Sequence, residues 1–278
     1  MANTAYWQHG FPDQDLAHSK ILIHCRQRFW QRDNQLLHNY ADIQMLLPHV
    51  KAQQKLGWFN QQPVWLLQLL HAPESTDAVW QSLRNYLQDE WYFPMLNYAS
   101  QIGTWLDEHR FCGRCGSVND LSAGPQRVLV CPKCRLYSYP RLSPCMIVLI
   151  TKGDHILLAR SPRFKAGMYS VLAGFTEPGE TIEQCVMREV HEEVGLTVKN
   201  IRYLASQNWA FPHSLMFAFI ADYAAGDILK QEDEIEDANW YHIDQLPEIS
   251  PVGTISRFLI DSYLAEQKGL TKPNIPLS

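Results

Sequence analysis

"GETIEQCVMREVHEEVGL", residues 179–196, is the stretch on which the fold of this chain turns. Advancing about 100° per residue, a helix here lays Ile182, Cys185, Val186 and Val190 along one apolar stripe. Glu189 and Glu193 fall inside that stripe, Glu192 falls at its edge, and His191 points to solvent. Amphipathic helices keep carboxylates off the buried face. Like charges one turn apart repel, and burying them unpaired costs far more. Arg188 can pair with one acid but cannot neutralise three. Two readings stand: a solvated acidic face, or inward carboxylates around a hard divalent cation such as Mg²⁺ or Mn²⁺. The place of the acids within the apolar stripe favours the second. Gly174 and Gly179 bracket a loop, Glu180 is expected in the first helical turn, and Gly195 is expected to close the helix.

Strand patterns surround this helix. "CMIVLI" (145–150) and "HILLAR" (155–160) flank "TKGD", a hairpin signal. "MYSVLAGF" (168–175) predicts one strand, and "IRYLASQNWAF", "SLMFAFIADY" and "ANWYHI" predict three more. "TISRFLIDSYLAEQ" (254–267) predicts a closing helix. Upstream, "KILIHCRQRFW" (20–30) and "PVWLLQLL" (63–70) read as β runs. "PMLNYASQIGTWLDEHR" (94–110) carries Met95, Tyr98, Ala99, Ile102, Trp105 and Leu106 at helical spacing behind Pro94.

Between these halves, "CGRC" and "CPKC" place Cys112, Cys115, Cys131 and Cys134 as two C-x₂-C knuckles. Four thiolates so spaced suit tetrahedral Zn²⁺; a redox pair or buried free thiols are the competing readings. Four protein ligands fill the coordination sphere, so this zinc is expected to be structural. Cys25, Cys145 and Cys185 read as packing residues.

Gly174, Glu180 and "REVHEEVGL" (188–196) together resemble the Nudix box. The resemblance implies a loop–helix–loop in which glutamates hold Mg²⁺ or Mn²⁺ against a diphosphate. It makes Glu189, Glu192 and Glu193 the ligands of metal and water, has Arg188 orient a glutamate, and has Glu180 support the loop. The ribbon upstream and "SQNWAFPHSLM" (206–216) are similar to the NADH pyrophosphatase branch, which also removes NAD caps from RNA. That branch carries S-Q-P-W-P-F-P-x-S. Here Ser206, Gln207, Trp209, Phe211, Pro212 and Ser214 agree, His213 fills the free position, and Asn208 and Ala210 replace prolines, which is expected to loosen the loop. An aromatic ring can stack on a base or on nicotinamide, and Gln207 or Ser214 can hydrogen-bond an edge or a phosphate. On residue pattern alone, Trp209 and Phe211 read as core residues on a strand. The resemblance further implies substrate contacts at Tyr139, Ser256 and Arg84, and metal contacts at the Ala173 carbonyl and Glu234. Gln126 stands where the branch often has a substrate-contacting glutamate, so that role is not transferred.

The expected fold is α+β: an N-terminal α+β domain with its linking helix (1–108), a zinc ribbon (109–139), and a Nudix α/β/α sandwich around a mixed sheet (140–278). Expected activity is hydrolysis of NADH or NAD⁺ to nicotinamide mononucleotide and AMP, with removal of NAD caps from RNA. Another Nudix specificity, such as ADP-ribose or a dinucleoside polyphosphate, and a zinc-ribbon RNA-binding protein are the rivals. The resemblance also suggests a homodimer.

Composition agrees with a folded chain: of 278 residues, 46% are hydrophobic and 19% charged, with net charge −5. That charge offers no general attraction to nucleic acid or anionic membrane, so such contact needs a local basic patch. "LARSPRFKAG", with Arg160, Arg163 and Lys165, is one candidate, or simply a solvated loop. No apolar run reaches the roughly 20 residues of a membrane span. The first fifteen residues lack a signal-peptide pattern. A cytoplasmic location is the expectation.

Overall fold

Burial on both faces shapes the N-terminal sheet. In the computed structural model, which describes residues 6–74, 78–122, 124, 126–163 and 165–276, the chain enters through β1 (Trp7–His9) and β2 (Lys20–Cys25). The run expected as one strand breaks after Cys25, where Arg26 and Gln27 take left-handed backbone (φ 46° and 62°) and return the chain as β3 (Arg28–Arg32). Neither residue is Gly or Asn, so the usual turn signal was missing. β4 (Leu37–His38), β5 (Val50–Phe59), β6 (Gln62–Leu69) and β7 (Ala78–Ser82) complete a sheet in the order β1-β5-β6-β2-β3-β7, with β4 beside β2. Leu22 and Phe29 face one core, while Ile21, Ile23 and Trp30 face another on the opposite side.

α1 (Phe93–Glu108) packs into the first of these cores through Met95, Leu96, Ala99, Ile102 and Trp105. Its burial is not confined to the expected stripe: Asn97, Ser100 and Thr104 are buried too. The ribbon follows as three two-residue strands, β8 (Asp120–Leu121), β9 (Leu129–Val130) and β10 (Tyr137–Ser138), with β9 central. Arg127 ties the ribbon down. Its guanidinium donates to the carbonyls of Gly10, Lys55 and Leu56 at 2.8–3.0 Å and lies over Phe11.

The second unit comprises Leu142–Trp209 and Ser214–Leu277; the first comprises Met1–Arg141 with Ala210–His213. β11 (Ser143–Lys152) and β12 (His155–Arg160) form the expected hairpin, with Gly153 at φ 60° in the turn. "MYSVLAGF" divides: β13 (Met168–Tyr169) pairs elsewhere, and only β14 (Leu172–Phe175) joins β11. α2 (Ile182–Val194) follows. β15 (Thr197–Trp209), β16 (Ser214–Ala225) and β17 (Asp237–His242) finish a sheet ordered β15-β16-β11-β12-β17. β16 runs parallel to β11 and the other pairs are antiparallel, so the sheet is mixed as expected. β18 (Glu248–Ile249) pairs with β13, and α3 (Ile255–Gln267) closes the unit.

The apolar run of β11 is covered on both faces, which is why it does not alternate. Met146, Val148 and Ile150 meet Cys185, Val186, Val190 and Val194 of α2. Ile147 and Leu149 meet Ile255, Leu259 and Ile260 of α3. Each fully buried valine or leucine contributes roughly 1.5–3 kcal/mol, enough to hold α2 in place while one acid on the same face goes under with it.

Candidate active site

Thr181 begins α2. Its hydroxyl accepts from Gln184 N–H and Gln184 Oε1 accepts from Thr181 N–H, a reciprocal cap. Gly195 ends the helix at φ 71°, a conformation that suits glycine. Glu180 therefore lies just ahead of the cap, in the loop, not in the first turn as expected.

Arg188 organises the acids. Its Nε and Nη2 donate to the two oxygens of Glu180 at 2.9 Å, its Nη1 meets Glu192 at 2.8 Å and Glu189 at 2.9 Å, and Nη2 also donates to the Phe175 carbonyl. The bidentate guanidinium, with the Glu177 N–H, draws the Glu180 carboxyl down to about 2. The same partners raise Arg188 above its ordinary value. Glu189 is pushed upward by burial, which outweighs its contact with Arg188.

Glu193 is different in kind. It is 6% exposed, and among the described residues its Oε2 has no hydrogen-bond partner. Burial, followed by the charges of Glu189, Glu234 and Glu192, pushes its carboxyl up to about 8. Glu192 remains exposed at the rim, as the wheel implied. Glu234 sits in an exposed turn tied to the end of α2, because Gln231 N–H donates to the Glu193 carbonyl and Glu234 N–H to the Gln231 carbonyl. Ala173 lies on β14 opposite Ile147.

Beside Ala173, a Cβ on Gly174 would sit 1.9 Å from Glu189 Cδ. Only a bare backbone lets the strand and this carboxylate approach so closely. The glycine was legible as a loop bracket; its approach to Glu189 had no sequence signal. A buried acid with an unpartnered oxygen, backed by further acids, forms an all-oxygen donor set suited to a hard divalent cation. The carboxylates of Glu189, Glu193 and Glu234 do not all lie within 4.8 Å of one another. Among the described residues, that spacing is met by Cys112, Cys115, Cys131 and Cys134.

In the cysteine cluster, Cys112 Sγ lies 3.5 Å from Cys134 Sγ, and Cys115 Sγ lies 3.5 Å from Cys131 Sγ. Thiolates about 2.3 Å from a tetrahedral zinc stand about 3.8 Å apart, so the cluster needs little adjustment to take one. Arg114 N–H and Cys134 N–H donate to Cys112 and Cys131 Sγ at 3.4 Å, which stabilises thiolate charge.

The tryptophan-loop residues have separate surroundings. Gln207 is fully buried, its Oε1 accepting from Ile255 N–H and its Nε2 donating to the Gly253 carbonyl, both at 2.9 Å. It braces the start of α3. Ser256, at that start, is buried with its hydroxyl 2.8 Å from that of Ser170. Asn208 and Trp209 are half-buried at the end of β15, and Ser214 opens β16 opposite Trp209.

In the first unit, Arg84 lies over the Phe211 ring at 4.3 Å, and both line a cavity of about 270 Å³ with Gln27, Ser100, Ala210 and Pro212. Ser100 Oγ is buried there without a partner among the described residues. His213 Nε2 is 3.9 Å from Glu108. Ala210 is 1% exposed and its N–H donates to Asn97 Oδ1 at 3.0 Å, a bond proline cannot make. The loosening expected from the lost proline is countered there by Asn97, a residue the sequence did not single out. Tyr139 is exposed.

Comparison with known proteins agrees with this geometry. The NUDIX domain model matches residues 141–259, and the NADH pyrophosphatase zinc ribbon model matches residues 107–139. A Pseudomonas aeruginosa protein called NAD-capped RNA hydrolase NudC is 48% identical over 278 residues, covering 99% of this chain and 100% of its own. A protein of the same name from Stutzerimonas stutzeri is 48% identical over 272 residues, covering 97% of this chain and 98% of its own. The crystal structure of a Nudix hydrolase from Nitrosomonas europaea, 19% identical, superposes with a TM-score of 0.52 over 61% of this chain and 98% of that one, a likeness of fold.

Proposed function

The chain belongs to the Nudix hydrolases, in the branch with an NADH pyrophosphatase zinc ribbon, and from that premise we propose that it hydrolyses the diphosphate of NADH and NAD⁺ and removes NAD caps from RNA 5′ ends. The relatives' shared name and their near-complete coverage support the substrate class. The observation that carries the chemistry is Glu193, a buried carboxyl on the acid-bearing helix with one oxygen unpartnered among the described residues.

Glu189, Glu193 and Glu234, with the Ala173 carbonyl, are the residues to hold Mg²⁺ or Mn²⁺. When bound, such a cation neutralises diphosphate charge and acidifies water. Arg188 keeps Glu189 and Glu192 oriented and fixes the loop through Glu180. We assign the proton of the attacking water to Glu192 or Glu193; the exposure of Glu192 beside Arg188 Nη1 supports the former. Water adds to one phosphorus and the bridging P–O bond breaks. The products are a nicotinamide mononucleotide with AMP, or with 5′-monophosphorylated RNA. Gln207 and Ser256 shape the start of α3, and Asn208, Trp209 and Ser214 of the same unit supply base and nicotinamide contacts. The Cys₄ cluster holds structural zinc. The working form is a cytoplasmic homodimer, a state that sedimentation can check.

A hydrolysis panel of NADH, NAD⁺, ADP-ribose and NAD-capped RNA, each with Mg²⁺ and Mn²⁺, tests this reading. Preference for NADH or capped RNA is the expected result; preference for ADP-ribose would overturn it.

A further inference from the structure

Charge is distributed unevenly along this acidic chain. Residues 109–139 carry five Lys or Arg against the single acid Asp120, a surplus of four, in a protein of net charge −5. Arg127 is consumed in anchoring the ribbon to backbone carbonyls. The other four, Arg110, Arg114, Lys133 and Arg135, are exposed. Arg114 and Lys133 occupy equivalent positions in the two knuckles, each directly before its second cysteine. Gly116 and Arg135, each directly after that cysteine, both adopt left-handed backbone (φ 70° and 61°). The two knuckles therefore repeat one conformation. The knuckles meet with sulfurs 3.5 Å apart, so Arg114, Lys133 and Arg135, each next in sequence to a clustered cysteine, lie close to one another.

The simplest explanation for these cations is compensation of the zinc centre, since four thiolates around Zn²⁺ leave two negative charges. That accounts for half the surplus, and backbone N–H groups already serve two of the sulfurs. Pairing with acids accounts for none. In the Nudix unit, Arg160 meets Glu236, Arg202 meets Asp222, Arg257 meets Asp261 and Lys268 meets Asp244. Among the described residues, Arg114, Lys133 and Arg135 have no such partner. The "LARSPRFKAG" candidate fares worse as a polyanion site: Arg160 is paired, and Lys165 meets Glu248 at 2.8 Å. Its Phe164 lies outside the described residues. The ribbon also exposes aromatic side chains, Phe111 at 56%, with Arg110 over its ring at 5.4 Å, and Tyr137 at 53%. Unpaired cations interleaved with exposed rings fit single-stranded nucleic acid, whose phosphates take the charge and whose bases stack.

We propose that the knuckle end of the zinc ribbon, through Arg114, Lys133 and Arg135, binds the single-stranded body of the RNA whose capped end is cleaved. This rests on the proposed decapping activity for its biological sense, but binding can be read without cleavage. Substitution by Arg114→Gln, Lys133→Gln and Arg135→Asn removes three charges, with asparagine chosen because it tolerates the left-handed backbone at position 135.

Zinc content and turnover of free NADH, which has no RNA body, report the fold and are expected to stay within twofold of the parent. Binding of a 5′-monophosphorylated RNA of about 30 nucleotides, followed by anisotropy, is expected to weaken at least tenfold, its log–log salt slope flattening by about 2 at roughly 0.7 per lost phosphate contact. KM for capped RNA should rise with it. If the triple variant loses zinc, Lys133→Gln alone takes its place, with a slope change of about 0.7. Unchanged RNA affinity and slope in a zinc-replete variant overturn the ribbon surface while leaving the hydrolase reading intact. Weakened binding in a protein whose parent leaves capped RNA uncut would instead retain the surface and sink the decapping assignment.

Discussion

At the level of single residues, Glu193 and Glu180 are two carboxyls on either side of one arginine's reach, driven in opposite directions. Arg188 grips Glu180, whose carboxyl is drawn down to about 2, whereas burial pushes the carboxyl of Glu193 up to about 8. Glu193→Gln keeps the shape of the protonated side chain. NADH turnover is expected to fall about 10²–10³-fold, the scale of removing one preorganised electrostatic group, while circular dichroism is unchanged; near-parental turnover would remove Glu193 from the machinery.

Glu180→Gln acts on stability. Because the folded value of Glu180 is depressed, its contribution is fully present above its unfolded value near 4.5 and lost as pH falls through about 2. Urea unfolding of metal-free protein should show the variant weaker by roughly 2 kcal/mol at pH 7, the worth of a charged bidentate hydrogen bond. The gap should close progressively below pH 4.5.

Among elements, what could be read ahead depended on whether the signal was local. The acids in the stripe of α2, the glycine that ends it and the two cysteine knuckles are local patterns, and each is where it was expected. The Arg26–Gln27 turn was hidden because its residues are not those that favour left-handed backbone. The division of β13 from β14 was hidden because β13 finds its partner some 80 residues later in β18. Asn97 was hidden most thoroughly. A polar residue on a helix reads as solvent-facing, and nothing local shows that its acceptor is needed by Ala210.

That pair is testable by a double-mutant cycle. Asn97→Ala strands a buried N–H and should cost about 1–3 kcal/mol. Ala210→Pro removes the N–H itself, so the second change should add much less than it does alone, with a coupling of about 0.5–3 kcal/mol. If the two effects in urea unfolding simply add, the hydrogen bond does not hold the loop.

At the scale of the whole molecule, the two expected metals have opposite jobs, and the fold makes their removal distinguishable. The ribbon's strands are two residues each, and the 33 residues that match the ribbon model are too few to bury a core of their own. Cross-linking of the knuckles must supply what packing does not. Arg127 then carries that order to the carbonyls of Gly10, Lys55 and Leu56 on the N-terminal sheet side of the unit. Glu180, Glu189 and Glu192, by contrast, are held by Arg188, and α2 itself by its packing against β11. Brief EDTA treatment should therefore abolish NADH hydrolysis with little change in Tm, and added Mg²⁺ or Mn²⁺ should restore it. Stripping zinc with a thiol-selective reagent and a strong chelator should release one zinc per chain, lower Tm by several degrees and open the ribbon to protease near the knuckles, and Mg²⁺ should not reverse this. A chain that lost its zinc and kept both its melting temperature and its protease resistance would show that the ribbon is held by its own packing, and the division of labour between the two metals would have to be abandoned.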